Sequence, residues 1–115
     1  MDSEPETYTK LYRAVGVEEY LSIMRNKCFT IHPDGLGAEV KYFGNDFAET
    51  LKFVNSAMGK SYVAIFEVSI QKSIVNAIDD KTPVDATIFK SGTVVIQSGD
   101  LDFFNKNIRY ISHKL

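Results

Sequence analysis

The segment Lys41–Met58, KYFGNDFAETLKFVNSAM, constrains the fold most, because it reads as a short strand, a tight turn and an amphipathic helix in immediate succession. Tyr42 and Phe43 are strand-favouring aromatics, and Gly44-Asn45-Asp46 is turn chemistry. Asp46 with Glu49 three residues on fits a capping-box-like helix start, with Asp in place of the usual Ser or Thr. Phe47, Leu51, Val54 and Met58 then fall at i, i+4, i+7 and i+11, one face of a helix. Gly59 follows as a natural stop.

The rest of the chain arranges itself around this unit. Residues 1–9, MDSEPETYT, are polar and acidic and read as a flexible tail or the end of a linker. Residues 10–115 form one domain. Lys10–Val15 predicts a first strand with Leu11, Arg13 and Val15 on one side, so that Arg13 either shares a core face or stands where the strand opens onto a cleft. Val17, Tyr20, Leu21 and Met24 have the spacing of one helix face, with Glu18 and Glu19 early and Arg25 and Lys27 late, which suits the helix dipole. Cys28–Ile31 reads as a short strand, and His32–Glu39, with Pro and two Gly, as a mobile loop. Ser61–Ile70 is the longest apolar run and the predicted central strand. Its alternate residues are apolar on both sides up to Glu67, so both faces must be covered. Lys72–Ile78 suits a helical turn or a short strand. Ala86–Phe89 suits a short strand or its approach, and Lys90-Ser91-Gly92-Thr93 is a turn that lacks the spacing of a phosphate loop. Thr93–Gln97 is a strand, Ser98-Gly99-Asp100 caps a short helix, and Ile108–His113 alternates as a closing strand. Without regular βαβ spacing, the order argues for an α+β domain.

Composition removes several function classes. With a net charge of −2 and no basic run, the chain has no DNA-tracking patch. One cysteine excludes an internal disulfide. Cys28, His32 and His113 make no zinc set, so no metal is expected. Cys28 lies in apolar sequence and reads as a small buried hydrophobe. No apolar run approaches the ~18 residues of a membrane helix, and a soluble protein is expected. No exposed heptad or apolar stripe indicates an oligomer. Glu67 reads either as a catalytic carboxylate or as a buried acid paired with Lys or Arg. His32 reads either as a general base or as a solvated loop histidine.

Several pieces carry a family resemblance. They are Leu11-Tyr12-Arg13, then Glu18-Glu19-Tyr20 with Ile23, Lys41-Tyr42-Phe43 before a helix with Ala48, Leu51 and Phe53, Glu67-Val68-Ser69-Ile70, and Asp100-Leu101 with Phe104-Asn105 and Ile108. From Leu11 to Ile111 the chain resembles the ADP-ribosyltransferase-like C-terminal toxin domains of bacterial polymorphic and Rhs-type secreted proteins. The resemblance implies a split, twisted β-sheet with two main helices and a short third around an NAD cleft. It implies that Arg13 contacts NAD phosphate or ribose, that Tyr42 and Phe43 shape the pocket (Tyr42 lining it, Phe43 nearer the core), and that Lys41 adds positive potential. NAD would be the substrate and a protein or RNA the acceptor of ADP-ribose. An immunity protein would be a partner, and the setting would be bacterial cytoplasm or a target cell.

One departure matters. The family's catalytic Glu lies on a late strand, and Thr93–Gln97 has none. Gln97 can hydrogen-bond a hydroxyl but carries no charge, and losing one such electrostatic group commonly costs ~10²–10³ in rate. Gln97 and Glu67 are the candidate catalytic residues, with Asp100, Asp34 and Glu39 as other acids. Two alternatives stand beside the transferase: a metal-independent RNase toxin using His32, Glu67, Arg13 and Lys41, and a catalytically silent binding module of the same fold.

Overall fold

The computed structural model describes residues 7–30, 40–56, 61–81 and 86–115. Strand β1 (Tyr8–Val15) leads through Gly16 into helix α1 (Val17–Asn26). Strand β2 (Val40–Gly44) turns into α2 (Phe47–Val54), and β3 (Ala64–Gln71) runs directly into α3 (Lys72–Ile78). Strand β4 (Thr93–Gln97) passes through a 3-10 turn (Ser98–Asp100) into α4 (Leu101–Asn107), and β5 (Ile108–His113) follows. The strands form one five-stranded antiparallel sheet in the order β4-β2-β1-β3-β5. The domain is α+β, with four α-helices among the described residues rather than two and a short third.

Strand β3 has no solvent face along Ala64–Ile70, as its two-sided apolar pattern requires. On one face Phe66, Val68 and Ile70 join Leu11 and Val15 of β1, Phe43 of β2 and Val94 and Ile96 of β4 in the core. Ile23 of α1, Val75 of α3, and Leu101 and Phe104 of α4 cover that face. Phe29, Phe43 and Phe104 meet ring to ring, with centroids 5.3, 5.0 and 6.2 Å apart. Burying a ring of this size contributes about 1.5–3 kcal/mol. Helix α2 lies over the other face, where Phe47 sets its edge against Tyr12 at 5.6 Å and Thr50 is fully buried.

Local chemistry explains the element ends. Asp46 is extended (φ −136°, ψ 132°), and its carboxylate accepts from the Glu49 amide at 3.0 Å, which starts α2. The second arm of a capping box is missing. Glu49 instead accepts from the Ser91 amide and hydroxyl (3.0 and 2.8 Å), pinning α2 to the turn before β4. Gly92 in that turn has φ +90°, a conformation glycine adopts without strain. Helix α2 ends at Val54, and Met58 and Gly59 lie outside the described residues.

Four sequence expectations change. Strand β1 begins at Tyr8 rather than Lys10, and the Thr7 carbonyl accepts from the Lys72 amide at 2.9 Å, so residues 7–9 belong to the folded sheet. Cys28–Thr30 is not a strand: the Asn105 side-chain amide bonds both the N–H and the C=O of Phe29 (3.0 and 2.7 Å) in place of a ladder. Cys28 is only half-buried. Two open alternatives are also resolved: residues 86–88 form a turn on the approach to β4, and Lys72–Ile78 is helical. Helix α1 is rotated from its apparent apolar face: Ile23 is buried while Val17, Leu21 and Met24 are exposed. The cause is the company of its inner face, where Glu19 is drawn to Arg13 and Lys41 and Tyr20 packs tilted against Phe66 and edge-on against His113.

Gly44 is the tightest point of the sheet. A Cβ there would lie 2.6 Å from the Thr50 hydroxyl and 2.9 Å from the Phe89 ring. Gly44→Ala is expected to destabilise the domain by about 1–3 kcal/mol through overpacking. Gly99→Ala, with nothing within 4 Å, should stay within about 0.5 kcal/mol of the parent. Urea midpoints at constant slope measure both.

Candidate functional site

The site is built where the sheet is narrowest. Strands β1 and β2 pair at a single position, Tyr12 opposite Gly44, whereas β1–β3 and β2–β4 pair along their lengths. Beyond that pair a side chain spans the gap. Arg13 donates from Nη1 to the Tyr42 carbonyl at 3.1 Å. Its Nε and Nη2 grip Glu19 of α1 at 2.7 and 2.8 Å, a charge-assisted, bidentate pair. Lys41 is buried with its Nζ 3.6 Å from the same carboxylate. The guanidinium also lies 5.9 Å from the Phe43 ring centre. Arg13 thus has the acidic neighbour of the plainer sequence reading and also stands at the lip of an opening.

That opening is a hollow of about 230 Å³ lined by Tyr12, Arg13, Ala14, Tyr42, Phe43, Gly44, Thr50, Phe53, Tyr62, Phe89 and Thr93. Its wall is aromatic: Phe53 contacts Tyr62 and Phe89, each at 5.4 Å. Tyr42 is 45% exposed beside it, while Phe43 turns into the core, as alternation along a strand requires. Three residues named from sequence, Arg13, Tyr42 and Phe43, therefore converge here, with Lys41 behind them.

Glu67 stands one tyrosine away. It is buried on β3 directly opposite Tyr12 and accepts from the Tyr12 hydroxyl at 3.0 Å and the Tyr110 hydroxyl at 2.8 Å. Its partners are two phenols, not the Lys or Arg expected of a paired acid. Burial pushes the Glu67 carboxyl up, but the Tyr110 and Tyr12 hydroxyls pull it down further, helped by Lys114 and Lys10, and it ends below its ordinary value. Tyr12 is pushed up to about 12, first by burial and then by its bond to Glu67. Tyr110 also moves up, chiefly through the same carboxylate.

The other candidates are dispersed. Gln97 is exposed at the far end of β4 from Thr93, opposite Val40, and donates to Asp80 at 2.8 Å. It does not line the hollow. Asp100 lies past it in the 3-10 turn. His32, Asp34 and Glu39 lie outside the described residues. Of the set named for RNA cleavage, Glu67 lies on the sheet face of Tyr12 and Tyr42, whereas Arg13 and Lys41 belong by alternation to the opposite face. Sequence reading missed Glu19, Tyr12, Thr50, Tyr62 and Phe89. Glu19 had a legible signal, because the strand-to-helix turn at Gly16 folds position 19 back toward position 13. The others meet only through tertiary packing.

A second hollow, about 390 Å³, lies on the core-side flank of β5 against α1 and α4 and shares none of these residues. It holds no acid to pair with its basic groups, so the chemistry points to the smaller hollow. Among the described residues no group of three or more His, Cys, Asp or Glu is arranged to hold a metal ion. No helix among them is long and apolar enough to cross a membrane. Comparison with protein-family models, curated proteins and solved structures gives no match.

The Tyr12–Glu67–Tyr110 unit sets a pH signature. The folded Tyr12 value, about 12, lies above its ordinary 10.0, so its contribution to stability is complete below pH 10.0 and lost as pH rises through 12. The folded Glu67 value lies below its ordinary 4.5, so its contribution is present above that value and lost as pH falls through the folded one. Urea titrations across pH should show Tyr12→Phe flattening the alkaline loss and Glu67→Gln flattening the acid loss. Parental pH dependence in both variants contradicts the assignment.

Proposed function

We propose that this domain binds NAD at the hollow between β1 and β2 and transfers ADP-ribose to a macromolecule, as a bacterial toxin or effector-type enzyme. The observation that carries the reading is the sheet that parts after one residue pair, with Arg13 on one lip, Tyr42 on the other and an aromatic hollow between. A sheet divided in this way is what the resemblance to ADP-ribosyltransferase-like domains implies. The hollow is below the ~300–1,000 Å³ of a whole drug-sized ligand, which suits one ring-bearing end of NAD with the remainder along the lip. The guanidinium has five N–H donors, of which Glu19 and Tyr42 take three. The fork therefore stays anchored while offering donors to a phosphate or ribose oxygen.

The reaction breaks the bond from ribose to nicotinamide, which leaves with the bonding pair, and forms a bond from the same carbon to an acceptor oxygen or nitrogen that loses its proton. The positive charge developing on the ribose calls for a nearby anion. Glu67 is assigned that electrostatic part, at one remove, with Tyr12 between the carboxylate and the hollow. Gln97, tied to Asp80 on the far side of β4, is set aside. Tyr42 supplies a ring at the mouth, and Phe43 supports it from the core.

The engagement of Arg13 by Glu19 also favours a second reading, a catalytically silent binding module of the same fold. Calorimetry with NAD and assay of nicotinamide release in the same sample separate the two. Arg13→Lys keeps the charge but loses the fork, and is expected to weaken NAD by roughly tenfold or more. Arg13→Ala should abolish binding in a folded protein. Unchanged affinity in either folded variant, or no binding to the parent at millimolar NAD, removes this function. Binding without release selects the silent module.

A further inference from the structure

The two edges of the sheet are treated differently. The β4 edge is closed by the chain itself: Asp79 bridges Ile96, the Asp80 amide donates to the Val95 carbonyl at 2.8 Å, and the Asp79 carboxylate accepts from the Val95 amide at 2.9 Å. Strand β5 pairs with β3 on its inner side, and among the described residues no strand lies along its outer side. Alternate backbone groups of an open edge form a ready template for another strand. Beside this edge lies the hollow of about 390 Å³, where Met24, Ile108 and Ile111 supply apolar surface. Lys27, Arg109 and His113 also line it, Arg109 with its guanidinium 4.7 Å over the Tyr8 ring and His113 with Nε2 2.8 Å from the Leu115 carbonyl oxygen, and no acidic residue does, although the whole chain carries a net −2. The surface continues onto the exposed stripe Val17, Leu21 and Met24 of α1.

We infer that the outer edge of β5 and this hollow form a docking site for an extended acidic segment of a partner protein, which adds to the sheet as a sixth strand. Charge selects the occupant. A second copy pairing edge to edge would bring a strand that carries Arg109 and His113 and no acid, so it offers nothing to pair with the basic groups of this edge. A segment alternating acidic and apolar residues turns its acidic side chains toward the basic groups of the hollow and its apolar ones to the opposite face of the sheet, where Tyr110 is exposed, with main-chain bonds to β5. The site shares no residue with the β1–β2 opening, so its test is independent of NAD.

The test titrates the full chain, by amide NMR, with a capped peptide of alternating Glu and Val. A Lys/Val counterpart and a Glu/Val peptide N-methylated at alternate amides serve as comparisons. Expected are shifts confined to amides 109–113 and 24–27, roughly tenfold or greater weakening for the Lys/Val peptide, and loss of binding on N-methylation. The Lys27→Glu/Arg109→Glu variant should invert the preference, and the same spectra report whether it is folded. The N-methylated peptide decides the question on the parent protein in any case. Equal affinity for both charge types, indifference to N-methylation, or no shifts at millimolar peptide would overturn the inference. A concentration-dependent dimer seated on β5 would overturn it too, by giving the edge to a second copy.

Discussion

The structure hangs on the single pairing of Tyr12 with Gly44. It joins the β4–β2 pair to the β1–β3–β5 group and forces β2 to leave β1 almost at once. Only a residue without a Cβ fits there, because Thr50 and Phe89 already occupy that space. Past the pair the backbone ladder stops, and Arg13 replaces it with a side-chain bond to the Tyr42 carbonyl. A guanidinium can do this without becoming a buried unpaired charge because Glu19 holds its other edge. The orientation of α1 follows: Glu19 must face the sheet, and Val17, Leu21 and Met24 are left outside.

Adjacent residues of β1 organise two separate electrostatic units. Arg13 works with Glu19 and Lys41 on the core face, and Tyr12 works with Glu67 and Tyr110 on the other. They differ in kind. The first is an ion pair with a second cation nearby. The second keeps a buried carboxylate ionised by phenol donors, with Lys114 and Lys10 contributing less. Burying a carboxylate is expensive unless its oxygens are hydrogen-bonded, and two neutral donors meet that need while leaving the group acidic. Period-two alternation therefore decides which residues can act together: Arg13 converges with Tyr42 across the gap, while Glu67 is reached only through Tyr12.

Local pattern made much of this legible. The β2–α2 unit, the Asp46 cap, the two-sided burial of β3 and the inward Phe43 follow from spacing within a few residues, and the structure contains each of them. What spacing did not reveal depends on distant partners. The apolar stripe of α1 has helix periodicity, yet a charged contact with β1 turns it outward. Phe29 sits in strand-like sequence, but Asn105, far along the chain, takes its backbone groups. Glu49 has the position of a capping-box acid and serves the Ser91 turn instead. The convergence of Tyr12, Thr50, Tyr62 and Phe89 comes from four separate segments, and no local signal in the sequence relates them.

The placement of Gln97 shows what an acid at the end of β4 would meet. Asp79 and Asp80 close the β4 edge, and Gln97 is held by Asp80 at 2.8 Å through its amide, an uncharged donor. A carboxylate at position 97 would meet Asp80 as a like charge at that range, and one of the two would have to take up a proton or swing away. Protection of this edge and an ionised acid at its end are therefore in conflict, and the chain resolves the conflict in favour of the edge. The anion that the proposed transfer requires must then come from another strand. Strand β3 carries the one acid among the described residues that is both buried beside the hollow and held ionised by its neighbours. A catalytic arrangement built on that acid would thus be organised from the sheet's centre outward through Tyr12, with Gln97 held by Asp80 at the closed β4 edge.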